Sequence, residues 1–189
     1  VRVRWCRTQQ YYDQASWRGT WSMDGGVLTN QAIHHVDMLS WMMGDIESVF
    51  SYSATHLAKI EAEDTIVSSI RFKNGALGTI EATTATRPRD LEGSISILGE
   101  KGTVEIGGFA MNQIKTWEFS ESLSEDENII SQYSSNPPNV YGYGHKAYYD
   151  HVVKSITKGS PNLIDGIQAK KSIELSLIHI SEPTRQPTI

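Results

Sequence analysis

Apolar and polar positions change period along the chain, and each change marks an element. Val1–Thr8 alternates, with Val1, Val3 and Trp5 on one face and Arg2, Arg4 and Cys6 on the other. Period two over this length predicts a half-buried strand. Gln9–Thr20 is polar and aromatic without a sustained period, and reads as a loop able to fold over a site. Asp24-Gly25-Gly26 breaks the chain, and from Val27 the pattern becomes helical until Gly44, a C′ glycine. Val27, Leu28, Ile33, Val36, Leu39 and Met43 supply the face to bury. Asn30, His34, Asp37 and Trp41 recur at i, i+4, i+7 and i+11, which on one helix makes a single stripe.

Strands are predicted over Asp45–Ala58, Asp64–Asn74 and Ala76–Arg87, with an Asn-Gly hairpin turn at Lys73-Asn74-Gly75-Ala76. In the second of them Ile66, Ser68, Ile70 and Phe72 face one way and Thr65, Val67, Ser69 and Arg71 the other. Ser94–Leu98, Gly102–Ile106 and Gln113–Phe119 read as further strands, and short turns between consecutive strands imply antiparallel pairing. Ser120–Asn139 is acidic, Ser-rich and closed by Asn136-Pro137-Pro138-Asn139, a surface excursion. Helices follow over Gly144–Gly159 and from about Asp165 to Leu177. The expected class is α+β: an open-faced, mostly antiparallel sheet with its helices gathered on one face. Residues 1–176 read as one domain, and 177–189, polar and broken by prolines, as an atypical tail left by truncation or sequence assembly.

Composition narrows the function classes. Seventeen Lys and Arg against 22 Asp and Glu give a net charge of −5 without a basic run, which argues against nucleic acid but leaves room for one anionic small ligand. The one cysteine, Cys6, cannot pair within the chain, and no apolar run approaches the roughly 18 residues of a membrane span. Both fit a cytoplasmic protein. The sequence opens without Met, inside a strand pattern, as a fragment would.

Candidate chemistry concentrates in Trp17–Gly44. A histidine one helical turn from a carboxamide, with Asp37 a turn further, can be held in one tautomer and used as an acid or base, so His34 and Asn30 are the leading candidates. The plain alternative is a helix histidine satisfied by its neighbours. Gly25 and Gly26 would let the backbone approach a ligand, and Trp17 with Arg18 would form a planar anion clamp. His35 points about 100° away and is assigned to surface or packing. No metal site is expected, since adjacent histidines face different ways and no Cys or further His completes a shell. Arg87, at a strand end, is a second candidate for an anionic group, and Tyr143 and His145, at a helix start, are further substrate-binding candidates. Gly142-Tyr143-Gly144-His145-Lys146-Ala147 spells GxGxxA, but a polar, Pro-containing loop precedes it where a dinucleotide fingerprint needs a strand.

The run from Trp17-Arg18-Gly19-Thr20 through Gly25-Gly26 and Leu28–Asp37 to Trp41 resembles the C-terminal domain of the glucose-fructose oxidoreductase / inositol dehydrogenase / MocA family. Leu98–Thr103 and Tyr143–Leu175 extend the similarity. The resemblance implies an NAD(P)-dependent oxidation of a sugar hydroxyl by hydride transfer, with NAD or NADP bound mainly by a Rossmann domain that this sequence lacks. It implies His34 as the acid/base or hydroxyl-orienting residue, Asn30 as its substrate-binding partner, and Asp37 as support for the helix and His34. The family's usual D-x-x-x-H is Asn30-x-x-x-His34 here, a variation of its nucleotide-sugar branch. That branch implies oxidation at C3 of a UDP-linked N-acetylated hexuronic acid, with Arg18 and Arg87 holding the acidic sugar or diphosphate. Asn30 cannot accept a proton, so His34 or the family's Rossmann-domain lysine must. Family members often build dimers or tetramers, here through the open sheet face carrying Arg2, Arg4, Thr65, Ser69, Arg71, Glu81 and Thr83. An inositol or simple-sugar dehydrogenase domain, or a non-catalytic dimerisation or ligand-binding module, stand as alternatives.

Overall fold

A computed structural model describes residues 1–108, 110–121, 126–139, 142–162 and 164–177. The tail predicted over 177–189 falls, beyond Leu177, outside the described residues. The chain forms two compact units, Val1–Glu92 with the chain from Lys170, and Gly93–Ala169.

The first unit holds strands β1 (Arg2–Arg4), β2 (Ile46–Ala54), β3 (Thr65–Phe72) and β4 (Leu77–Thr83) and helices α1 (Gln9–Asp13) and α2 (Ile33–Met43). Its strands lie in the order β2-β3-β4-β1. The two hairpin-linked pairs are antiparallel, and β1 runs parallel to β4 with Val3 opposite Ala82. Gly75, at φ +89°, makes the turn between β3 and β4, and Phe72 N–H donates across it to the Ala76 carbonyl at 2.9 Å.

The predicted alternation in β3 sorts inside from outside. Ile66, Ser68, Ile70 and Phe72 are buried, while Val67, Ser69 and Arg71 are exposed. On the inner face Val3, Ile66, Ile70, Phe72, Ile80 and Ala82 form one core with Val27, Leu28, Val36 and Leu39. Leu175, from helix α5 (Gly166–Ser176), joins it. Fully burying each Leu, Ile or Phe is worth roughly 1.5–3 kcal/mol, so this layer is what fixes α2 on the sheet. The outer face stays open: Tyr52 lies opposite Val67 and Phe50 opposite Ser69. A two-pronged Arg4–Glu81 pair, at 2.6 and 2.7 Å, lies on the strands beside them.

Three elements depart from expectation. Gln9–Asp13, predicted as loop, is a short helix pinned by Tyr12, whose buried hydroxyl shares a hydrogen bond of 2.9 Å with Thr84 Oγ1. The first strand is shorter than Val1–Thr8, although Trp5 and Arg7 still donate to the carbonyls of Thr83 and Thr84. The long helix starts at Ile33, not Val27. The chain between is a separate turn: Asn30 N–H bonds to Gly26 O, and Ala32 N–H reaches back five residues to Val27 O at 2.8 Å. That step over-runs the i to i−4 register, so helical bonding restarts beyond it.

In the second unit β5 (Glu92–Leu98), β6 (Gly102–Gly107) and β7 (Gln113–Phe119) form an antiparallel run, with Gly99 N–H bonded to Gly102 O at 2.8 Å in the first turn. The predicted surface excursion contains helix α3 (Ile129–Tyr133), docked on β7 through Ser134 Oγ, which accepts from Ile114 N–H. Helix α4 (Gly144–Lys158) ends at Gly159, left-handed at φ 65°. Among the described residues no helix is long and apolar enough to cross a membrane.

Candidate functional site

The glycine pair is shaped by what lies against it. Gly25 takes φ +76°, a left-handed conformation that side chains disfavour. A β-carbon on Gly26 would sit 1.9–2.0 Å from the Glu63 carboxylate, which is 4% exposed. Glu63 also accepts from Val27 N–H with its main-chain carbonyl at 2.9 Å and from Leu28 N–H with Oε1 at 3.3 Å. At Gly26 the turn is therefore pressed against a buried acid from the loop before β3.

Asp24 and Asn30 face each other across that turn. The Asp24 carboxylate accepts from Asn30 Nδ2 through Oδ1 and from Gly19 N–H through Oδ2 at 2.6 Å. Asn30 Oδ1 accepts from Gln31 Nε2 at 2.8 Å, and Gln31 Nε2 also donates to Tyr11 OH at 3.0 Å. Arg7 Nε donates to Gln31 Oε1 at 3.1 Å, while Arg7 Nη1 reaches Asp90 Oδ1 at 3.1 Å. Asn30, in the turn, and His34, exposed in the first turn of α2, are thus neighbours in sequence but not members of one helix. Within α2 the rest of the expected stripe, His34, Asp37 and Trp41, is exposed. Asp37 accepts from Ser172 Oγ and so ties α5 to α2, and Trp41 is 79% exposed.

His35 is buried at 4% exposure, its ring edge-on to Trp5 at 5.8 Å, which settles it as packing. Burial, with the His34 and N-terminal charges adding to it, lowers its pKa to about 4. Neither ring nitrogen has a hydrogen-bond partner among the described residues. Asp64 is the opposite case. Burial would raise its carboxyl, but N–H groups of His56, Leu57 and Ala58 and the Thr65 hydroxyl outweigh it and hold the pKa below the usual carboxylate range.

Beside the turn opens a groove of about 650 Å³ lined by Gln9, Tyr12, Arg18, Gly19, Lys59 and Glu61 among others. A recess of about 10 Å³ bounded by Asp24, Gly26, Asn30, Gln31 and Glu63 shares Tyr12 and Ile60 with it. Arg18, expected to form an anion clamp with Trp17, lines the groove and stacks more closely on Tyr11. The guanidinium lies 4.1 Å over Tyr11 and 5.5 Å from Trp17, and Nη1 donates to Tyr11 O and Gln14 Oε1. Arg87 is spent on main chain: it donates to the carbonyls of Thr84, Thr86 and Arg7 at 2.8–3.1 Å, stitching two strand ends together. Tyr143 and His145 are exposed at the start of α4 in the second unit.

Among the described residues no group of three or more His, Cys, Asp and Glu could hold a metal ion. The GxGxxA segment does not fit a dinucleotide. The described residues before it, 134–139, form no strand, and β-carbons at Gly142 and Gly144 would meet nothing within 4 Å, where a fingerprint glycine sits because the helix is pressed onto a strand. Sequence reasoning missed Asp24, taken as part of a chain break, and Arg7, Gln31 and Glu63. Only Asp24 carried a local signal, as an acid directly before a glycine pair and six residues before Asn30.

The family model described as oxidoreductase family, C-terminal alpha/beta domain, matches residues 1–178. The crystal structure of the WlbA dehydrogenase from Bordetella pertussis, in complex with NADH and UDP-GlcNAcA, superposes with a TM-score of 0.86 at 47% identity, over 93% of this chain and 50% of that one. The myo-inositol 2-dehydrogenase of Thermotoga maritima is 23% identical over 166 residues, 81% of this chain and 45% of the relative. The levoglucosan dehydrogenase of Pseudarthrobacter phenanthrenivorans is 23% identical over 153 residues, 68% of this chain and 39% of the relative. The chain spans half or less of the length of these three relatives.

Proposed function

The chain belongs to the oxidoreductase family whose C-terminal alpha/beta domain it matches, and from that premise we propose that it is the substrate-binding half of an NAD(P)-dependent dehydrogenase acting on a nucleotide sugar. The favoured substrate is a UDP-linked N-acetylated hexuronic acid, oxidised at C3. One observation carries this reading: the Asn30–His34 pair beside the Gly25-Gly26 turn, in a chain 47% identical to a dehydrogenase crystallised with NADH and UDP-GlcNAcA. The chain covers 50% of the WlbA dehydrogenase crystallised with NADH, and in this reading the nicotinamide, which accepts the hydride, is held by a part of the full-length protein that this chain does not span. This chain's part is proton handling and orientation. His34, solvent-accessible at the start of α2, receives the hydroxyl proton on an imidazole nitrogen, and Asn30 orients the hydroxyl toward it. Arg18, at the groove, and Trp17, its neighbour in sequence, meet the anionic part of the ligand. Arg87, whose guanidinium already donates to the Thr84, Thr86 and Arg7 carbonyls, is assigned to joining the strand ends. Asp37 acts on His34 only through the α2–α5 tie. The protein works as a cytoplasmic dimer or tetramer whose subunits meet through the open sheet face.

The test is His34→Asn in the full-length protein. Loss of a positioned acid/base residue is expected to lower turnover by about 10²–10⁴ with little change in UDP-sugar affinity. Near-normal turnover overturns the assignment. Titration of UDP-linked acids against neutral polyols tests the substrate class, and equal or better binding of the polyols removes the nucleotide-sugar reading.

A further inference from the structure

The polar side chains around Asn30 form a hydrogen-bond chain whose direction is set by its ends. Arg7 can only donate, so Gln31 must turn Oε1 toward Arg7 Nε, at 3.1 Å. That turns the Gln31 amide nitrogen toward Asn30 Oδ1, at 2.8 Å. Asn30 must then turn Nδ2 toward Asp24, and an ionised carboxylate can only accept. The two ends agree independently on one orientation of both carboxamides. The ends are themselves anchored, Arg7 on Asp90 at 3.1 Å and Asp24 on Gly19 N–H at 2.6 Å. Tyr11 OH, at 3.0 Å from Gln31 Nε2, takes the second amide proton of Gln31.

We propose that Arg7, Gln31 and Asp24 are positioning residues that fix the carboxamide of Asn30 in a single orientation, leaving one N–H and one carbonyl lone pair to read a ligand hydroxyl. An unconstrained asparagine presents its oxygen and nitrogen interchangeably. A pinned one presents its donor and acceptor at set places, so a hydroxyl held against it has its proton aimed in one direction. The inference rests on the reading of Asn30 as a substrate-facing residue, but the pinning itself does not.

Two near-isosteric variants of the full-length protein test it from opposite ends. Gln31→Glu keeps the acceptor for Arg7 and removes the donor to Asn30. Asp24→Asn can accept from Asn30 or from Gly19 N–H but not from both. Each is expected to lower kcat by about 10- to 100-fold, the scale of a misplaced reacting group, with KM changing less than about threefold. In an Asn30→Ala background the same substitutions are expected to cost less than about twofold more, because they act only through Asn30. Full additive losses in that background, or near-normal kcat in both single variants, overturn the proposal. A readout without substrate separates it from the dehydrogenase assignment. One of the two Asn30 side-chain amide protons should be shifted by the Asp24 carboxylate away from the position of a solvated asparagine, and should move back toward it in Asp24→Asn. A signal at the ordinary position of a solvated asparagine in the wild type overturns the pinning whatever the enzyme turns over.

Discussion

The neutral, buried histidine of α2 makes the stability of this fold depend on pH in a way that can be worked out. His35 is 4% exposed, has no hydrogen-bond partner on either nitrogen among the described residues, and has its pKa lowered by burial to about 4. In the unfolded chain the same imidazole titrates near 6.5. Between those values the unfolded state binds a proton that the folded state refuses, so stability falls as pH drops through 6.5 and levels off below 4. At about 1.36 kcal/mol per pKa unit the full loss is about 3 kcal/mol, and about 2 kcal/mol of it is incurred by pH 5. His35→Phe keeps a ring against Trp5 and removes the titration. Urea unfolding at pH 7.5 and 5.0 should show the wild type losing about 2 kcal/mol more than the variant over that interval. At pH 7.5 the variant should be at least as stable, since two buried nitrogens without partners, costing about 1–3 kcal/mol each, are gone. Parallel losses in the two proteins would refute the reasoning, as would a His35 carbon-bound proton titrating near 6.5 in the folded chain.

Two further substitutions probe what shapes the site. Gly26→Ala places a methyl where the Glu63 carboxylate stands and should destabilise by about 1–3 kcal/mol; thermal melts of the variant and of Gly26→Ala/Glu63→Ala should show partial recovery in the double variant, and equal or lower stability there contradicts the steric account. Arg87→Ala removes donors to Thr84, Thr86 and Arg7 carbonyls, so unfolding should show a loss of about 1–2 kcal/mol while KM for a UDP-sugar moves less than about threefold, and a large KM effect at unchanged stability would return Arg87 to the ligand.

How far the sequence could be read depended on the range of the interaction that decided each element. β3 was legible because its alternation is its burial: Ile66, Ser68, Ile70 and Phe72 are inside whatever the rest of the chain does. The Asn74-Gly75 hairpin and the Gly159 helix stop were legible for the same local reason. The start of α2 was not. Val27 and Leu28 have helical spacing and are buried as expected, yet their N–H groups are taken by Glu63, which lies 35 and more residues away in sequence. A periodicity argument sees which residues want burial and cannot see that a buried acid has claimed the backbone.

The same distinction divides the site. Asn30 and His34 stood out because a carboxamide and an imidazole four residues apart suggest chemistry in any helix. The structure removes the shared helix, and each residue is held by its own surroundings. On one helix, Asn30 would be oriented by its own backbone and would follow His34 rigidly. In the Gly25–Ala32 turn its orientation comes instead from Asp24 on one side and from Gln31 and Arg7 on the other. His34 is held by α2, and α2 by its apolar layer on the sheet. The two members of the pair are therefore set by independent means, one by a directional polar chain and one by packing, so a substitution can displace either without the other. Asn30 can therefore be altered, through Arg7, Gln31 or Asp24, while His34 and the hydrophobic core beneath α2 stay in place.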